Sequence, residues 1–143
     1  MFTAKVYNVM VGSLSGIMEE VTVAKDVIRE WNQQNSERNG KVFLNVDWNS
    51  KIEAIQKVDV VIGLIGNWIE NTEFVEECIK EGKRVILLFN AFQDPENTID
   101  SEYDKVVSFK ECVLGRCHCK LFRGTADFKQ LLEKQLNLVS LMP

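Results

Sequence analysis

Residues 58–66, VDVVIGLIG, form a nearly continuous apolar run rich in β-branched side chains. A half-exposed strand alternates apolar and polar residues, so a run without alternation marks a strand covered on both faces, as in the middle of a parallel sheet. A second such run, KRVILLFN at 83–90, follows a helical segment at 72–81 that stops at Gly82. Two buried strands joined by one helix make a βαβ unit, and its crossover is right-handed.

The rest of the chain repeats this alternation. AKVYNVMVG, 4–12, reads as a first strand, and in 17–37 a helical period sets Ile17, Val21, Ala24, Val27, Ile28 and Trp31 on one face. Asn39-Gly40 ends that helix, and KVFLNVDW, 41–48, gives a second strand. Ser50 is placed to cap a short helix, KIEAIQK. A polar stretch containing Pro95 leads to a helix over 101–113, then CHCKLFRG as a fifth strand and a helix over 126–139 capped by Thr125. Five strands alternating with helices predict an α/β fold with three layers, a doubly wound five-stranded parallel sheet in the flavodoxin-like order 2-1-3-4-5. No linker or repeat interrupts the pattern, so one domain over 1–143 is expected.

Composition narrows the class. The chain is 45% hydrophobic and 27% charged, as globular proteins are. With 17 Lys+Arg against 21 Asp+Glu, a net charge of -4 and no basic cluster, a nucleic-acid surface is not expected. Neither a signal sequence nor a membrane span is apparent, so the expected location is the cytoplasm. Four cysteines, Cys78, Cys112, Cys117 and Cys119, are then reduced thiols by default. Cys112, Cys117, His118 and Cys119 have poor spacing for zinc, because strand alternation points Cys117 and Cys119 to one face and His118 to the other. No metal site is expected.

A doubly wound sheet binds ligands in the crevice outside the carboxyl ends of its strands. The loops facing that crevice are 12–16, 46–50, 65–72, 90–98 and 123–125. The first, GSLSG, brings Ser13, Ser15 and the amides of a helix start, a set able to hold an anion. The same residues suit a plain turn in which Ser15 caps the helix with Glu19 near it. The third loop brings Asn67, Trp68, Glu70 and Glu73. The indole of Trp68 is flat enough to stack on a base or flavin ring, and Glu73 equally fits a helix first turn by its charge alone. The fourth adds Asn90 and Phe92. Strands one and three end in Val11-Gly12-Ser13 and Ile65-Gly66-Asn67 without a carboxylate, which excludes a phospho-aspartate receiver. A Walker loop, a G-x-G-x-x-G and a nucleophile elbow are absent from the sequence, and a lone His118 argues against a Ser-His-Asp triad.

Several stretches carry a resemblance over nearly the whole chain: Glu30-Trp31-Asn32 with Asn35-Ser36, Trp48 after strand two, Gly63 in strand three, and Ala126-Asp127-Phe128 ahead of Leu131 and Leu132. In these the sequence resembles a bacterial family related to Toll/interleukin-1-receptor (TIR) domains and nucleoside deoxyribosyltransferases. The resemblance implies action on the N-glycosidic bond of NAD or a nucleoside, or binding of a nucleotide-derived signal. A carboxylate at the start of the helix after strand three would then stabilise an oxocarbenium-like ribosyl centre. The pattern departs from the family at Gly16 and Val21, and Phe74 stands where the catalytic Glu is usual. Glu73 is one residue away, about 100° round a helix. The loop before it is also short, which favours binding or interaction over turnover.

VGSLSGIMEE also resembles the phosphate loop of flavodoxins, with Trp68 where those proteins place a ring beside FMN. The expected function is therefore binding of a nucleotide or NAD-derived molecule through Ser13, Ser15, Asn67, Trp68 and Asn90, with Glu73 as the catalytic residue if an N-glycosidic bond is cleaved. The alternatives are an FMN-binding electron carrier and an inactive interaction module, which as a homodimer would pair Val106, Phe109 and Val113 with another subunit.

Overall fold

A computed structural model describes residues 3–15, 18–46, 52–90 and 100–141. Its five strands are β1 Lys5–Ser13, β2 Lys41–Val46, β3 Val60–Ile65, β4 Arg84–Asn90 and β5 His118–Phe122. They pair in parallel throughout, in the order β2-β1-β3-β4-β5. Between them run α1 Glu19–Asn39, a 3₁₀ helix at Ile52–Lys57, α2 Thr72–Lys80, α3 Asp100–Val113 and, last, α4 Gly124–Ser140. The chain is thus a three-layer α/β fold.

Alternation along the strands divides the core in two. On one face Val9, Val11, Val60, Ile62, Leu64, Ile86 and Leu88 meet α1 through Ala24, Ile28 and Trp31, and α4 through Phe128, Leu132 and Leu136. On the other, Met10, Val61, Ile65, Val85, Leu87 and Phe89 meet the 3₁₀ helix through Ile55, α2 through Phe74, Val75 and Cys78, and α3 through Val106, Phe109 and Val113. All six residues of β3 are buried, which is why its sequence lacks alternation. Val106, Phe109 and Val113 are 3%, 8% and 0% exposed, so this face of α3 covers the sheet and is not open to another subunit, contrary to the expectation above. None of the described helices is long and apolar enough to cross a membrane.

The Trp-Asn signature of α1 performs packing. The indole N–H of Trp31 donates to Asn137 Oδ1 at 2.8 Å, and its ring centroid lies 4.7 Å from that of Phe43. Asn32 grips β2 from the side: its Nδ2 donates to the Phe43 carbonyl at 2.8 Å and its Oδ1 accepts the Phe43 N–H at 2.9 Å. This amide satisfies backbone groups on the outer side of an edge strand, where they would otherwise lie open to another strand. Asn35 Nδ2 donates to the Trp31 carbonyl at 3.0 Å, and the Ser36 carbonyl accepts the N–H of Gly40, whose φ of 66° ends α1.

Gly63 allows a close approach. A Cβ there would lie 3.0 Å from Leu87 Cδ2 and 3.3 Å from Leu14 Cδ1, so its absence lets those two side chains close over β3. Two caps differ from expectation. The residue before α4 is Arg123, whose N–H donates to Asp127 Oδ2 at 2.7 Å, and Thr125 falls inside the first turn. The residue before α1 is Met18, with no side-chain cap bond, so Ser15 does not cap that helix. Ser50, Trp48 and Gly16 lie outside the described residues.

Candidate functional site

The strands end at Ser13, Val46, Ile65, Asn90 and Phe122, and these ends share one edge of the sheet. There the turns after β1 and β3 are fastened to each other. Leu14 N–H donates to the Leu64 carbonyl at 2.9 Å, and Glu70 N–H returns to the Leu14 carbonyl at 2.7 Å. Ser15, only 6% exposed, sits between them. Its hydroxyl donates to the Trp68 carbonyl and accepts the Gly66 N–H at 2.7 Å. Its own N–H donates to Ser13 Oγ at 2.9 Å. These bonds use both predicted hydroxyls to hold the edge in shape. Ser15 is therefore a brace between loops, its hydroxyl engaged by two backbone groups.

The third loop turns at Asn71, which has a φ of 59° and precedes α2. Left-handed backbone is tolerated by Asn better than by other non-glycine residues, so Asn71 is spent on the turn. Trp68 is 38% exposed, an open indole beside the edge. Asn67 is half-buried. Glu73 is exposed in the first turn of α2, where the helix dipole favours a carboxylate.

A cleft of about 370 Å³ opens at the ends of β3 and β4, against α3. Gly66, Asn90, Tyr103, Val106, Lys110 and Leu121 line it. Lys110 Nζ stands 5.7 Å from the centroid of Phe89, within cation–π range, and Glu111 also reaches the wall. Of the six residues predicted to form a site, Asn90 lines this cleft, while Ser13, Ser15, Asn67, Trp68 and Glu73 are not among its walls. Tyr103, Lys110 and Leu121 were not anticipated. The signal for Tyr103 and Lys110 was a second stripe on α3, at 103, 107 and 110, beside the buried stripe 106, 109 and 113. Phe92 lies outside the described residues.

A larger hollow, about 580 Å³, lies at the opposite, amino edge. Lys5, Asp59, Lys83, Arg84, Arg116 and His118 contribute to it. Asp59 accepts the Asn8 N–H at 2.8 Å, and Lys5 Nζ stands 5.1 Å over the Tyr7 ring. Burial, then Arg84 and Lys120, hold the His118 imidazole below the usual histidine value. Nearby, Arg116 Nη2 pairs with Glu76 Oε2 at 2.6 Å, and that bond lowers the Glu76 pKa. Glu76 thus ties α2 to the turn before β5. Among the described residues no three His, Cys, Asp or Glu side chains gather as a metal site.

No protein-family model matches the chain, and no curated protein sequence matches it significantly. Similar solved structures include translation elongation factor SelB from Methanococcus maripaludis in its apo form. That match is 9% identical, covers 98% of this chain and 38% of that one, and has a TM-score of 0.60. Homoserine dehydrogenase from S. aureus is another, 12% identical over 82% of this chain and 33% of that one, with a TM-score of 0.51. The chain spans about a third of the length of each. Likeness at such identities establishes a shared fold.

Proposed function

We propose that the chain binds a nucleotide-class small molecule at the carboxyl edge of its sheet, in the cleft between β4 and α3. The observation that carries this reading is the position and lining of that cleft. It lies where doubly wound sheets hold ligands, and its volume of about 370 Å³ falls within the range of small-molecule sites. The walls pair the apolar Val106 and Leu121 with the Asn90 amide, the Tyr103 ring and the Lys110 ammonium. Such a lining suits a ligand with one flat ring and one anionic group. The resemblance to TIR-like and deoxyribosyltransferase proteins supports the nucleotide class, NAD-derived compounds first and FMN second.

Binding stands ahead of N-glycosidic cleavage because Glu73, the carboxylate a glycosidase of that kind would use, is exposed on α2 and does not line the cleft. Native mass spectrometry of the protein with NAD, cyclic ADP-ribose-type compounds, nucleosides and FMN tests the reading. At least one of these should add its mass, and Lys110→Ala should weaken that binding about tenfold, the loss of one charge-assisted bond. An empty spectrum across the panel, or full binding by the variant, would overturn the proposal.

A further inference from the structure

Cys117, just before β5, and Cys119, within it, stand two residues apart on the side of the sheet covered by α2 and α3, and both pack half-buried against that core. Period-two alternation turns both side chains the same way, and their Sγ atoms are 3.7 Å apart. Two residues of strand span roughly 6.6 Å between Cα atoms, at the upper end of the separation that a disulfide bridges. Closing the contact from 3.7 Å to the roughly 2.05 Å of a disulfide takes a shift of the backbone at Cys117, which stands just before β5, together with rotation of both side chains.

We propose that Cys117 and Cys119 are an oxidisable dithiol, converted to an intrastrand disulfide by hydrogen peroxide or another peroxide. Cys119 is the attacking sulfur and Cys117 the resolving one. The contact between the two sulfurs, then Lys110, lowers the Cys119 thiol against the opposing effect of burial, while the same contact pushes Cys117 up. A thiolate is the form that attacks peroxide, and a low-pKa cysteine beside a second thiol is the arrangement that stops oxidation at the disulfide. In the first step the Cys119 thiolate attacks a peroxide oxygen. The O–O bond breaks, an S–O bond forms, and hydroxide leaves as water after protonation. In the second, the Cys117 sulfur attacks the Cys119 sulfenic acid, the S–S bond forms, the S–O bond breaks, and the departing hydroxide takes up the Cys117 proton as a second water. Two thiols are oxidised by two electrons, and one peroxide is reduced to two waters.

Other thiols are placed differently. Cys78 is fully buried and its thiol is pushed up to about 11 by desolvation. Cys112 is exposed on α3 beside Glu76, with its sulfur 3.8 Å from a carboxylate oxygen and no second thiol recorded against it.

The sequence supplies a clean assay. Trypsin cuts after Arg116 and Lys120, so both sulfurs fall in the tetrapeptide at 117–120, CHCK, which holds no other thiol. The folded protein is treated with hydrogen peroxide at pH 7, quenched with catalase, alkylated in urea and digested. The expected product is this peptide unalkylated and two hydrogens lighter, formed about tenfold faster than in protein unfolded in urea before treatment. Dithiothreitol should return it to the doubly alkylated form. In Cys117→Ser the disulfide should vanish and dimedone should label Cys119. A tetrapeptide that stays doubly alkylated while Cys112 is oxidised would overturn the proposal, as would a bridge to Cys112 or equal rates in folded and unfolded protein.

Discussion

A single imidazole serves as a probe of the charged hollow at the amino edge. His118 is the one histidine of the chain, and it pairs with Ile86 across the sheet near the start of β4, where Arg84 stands. Desolvation is the first cause of its lowered pKa and the Arg84 and Lys120 charges follow. The unfolded chain therefore takes up this proton more readily than the folded one. The His118 contribution is neutral well above the unfolded value of about 6.5 and becomes destabilising as pH falls below it. A chain with one histidine gives one imidazole signal, so an NMR titration reads the value without assignment. The expected pKa lies below 6.5 in the wild type and rises toward it in Arg84→Gln. A wild-type value at or above 6.5 would show that the hollow does not repel the proton.

At the scale of elements, the order of strands and helices was legible because it follows from local periodicity. β3 has no alternation since both its faces are covered, and α1 shows its buried stripe at Ala24, Ile28 and Trp31. What local pattern did not show was the choice a polar side chain makes between near and distant partners. Ser15 fits an N-cap by sequence, yet its hydroxyl bonds Gly66 and Trp68, more than fifty residues away. Lys110 and Tyr103 were missed for a related reason. Their stripe on α3 becomes a wall only when β4 and β5 end beside it. The brace made by Ser15 is testable directly. Ser15→Ala leaves the Gly66 N–H and the Trp68 carbonyl without this partner, and the loss should be about 1–2 kcal/mol, within the range for a buried hydrogen-bonding group left unsatisfied. Urea unfolding should show a lower midpoint at unchanged slope. Stability within about 0.5 kcal/mol of wild type would place Ser15 among ordinary surface positions.

For the molecule as a whole, the two halves of the core share one sheet, and this determines how it comes apart. Successive residues of β3 point to opposite clusters: Val60, Ile62 and Leu64 to the side of α1 and α4, Val61 and Ile65 to the side of α2 and α3. Neither cluster can lose β3 without the other losing it too, so the fold should unfold as a unit in spite of having two hydrophobic layers. Cys78 reports on the second layer alone, since it is 0% exposed beneath α2 and its thiol is raised to about 11, which leaves almost none of the reactive thiolate at neutral pH. Backbone circular dichroism, in contrast, reports on all the helices. Pulsed alkylation of Cys78 along a urea series, read on its own tryptic peptide, should follow the dichroism transition with the same midpoint and slope. If Cys78 reacts at clearly lower urea, the layer of α2 and α3 opens separately, and the cleft that α3 walls would then belong to the less stable half of the protein.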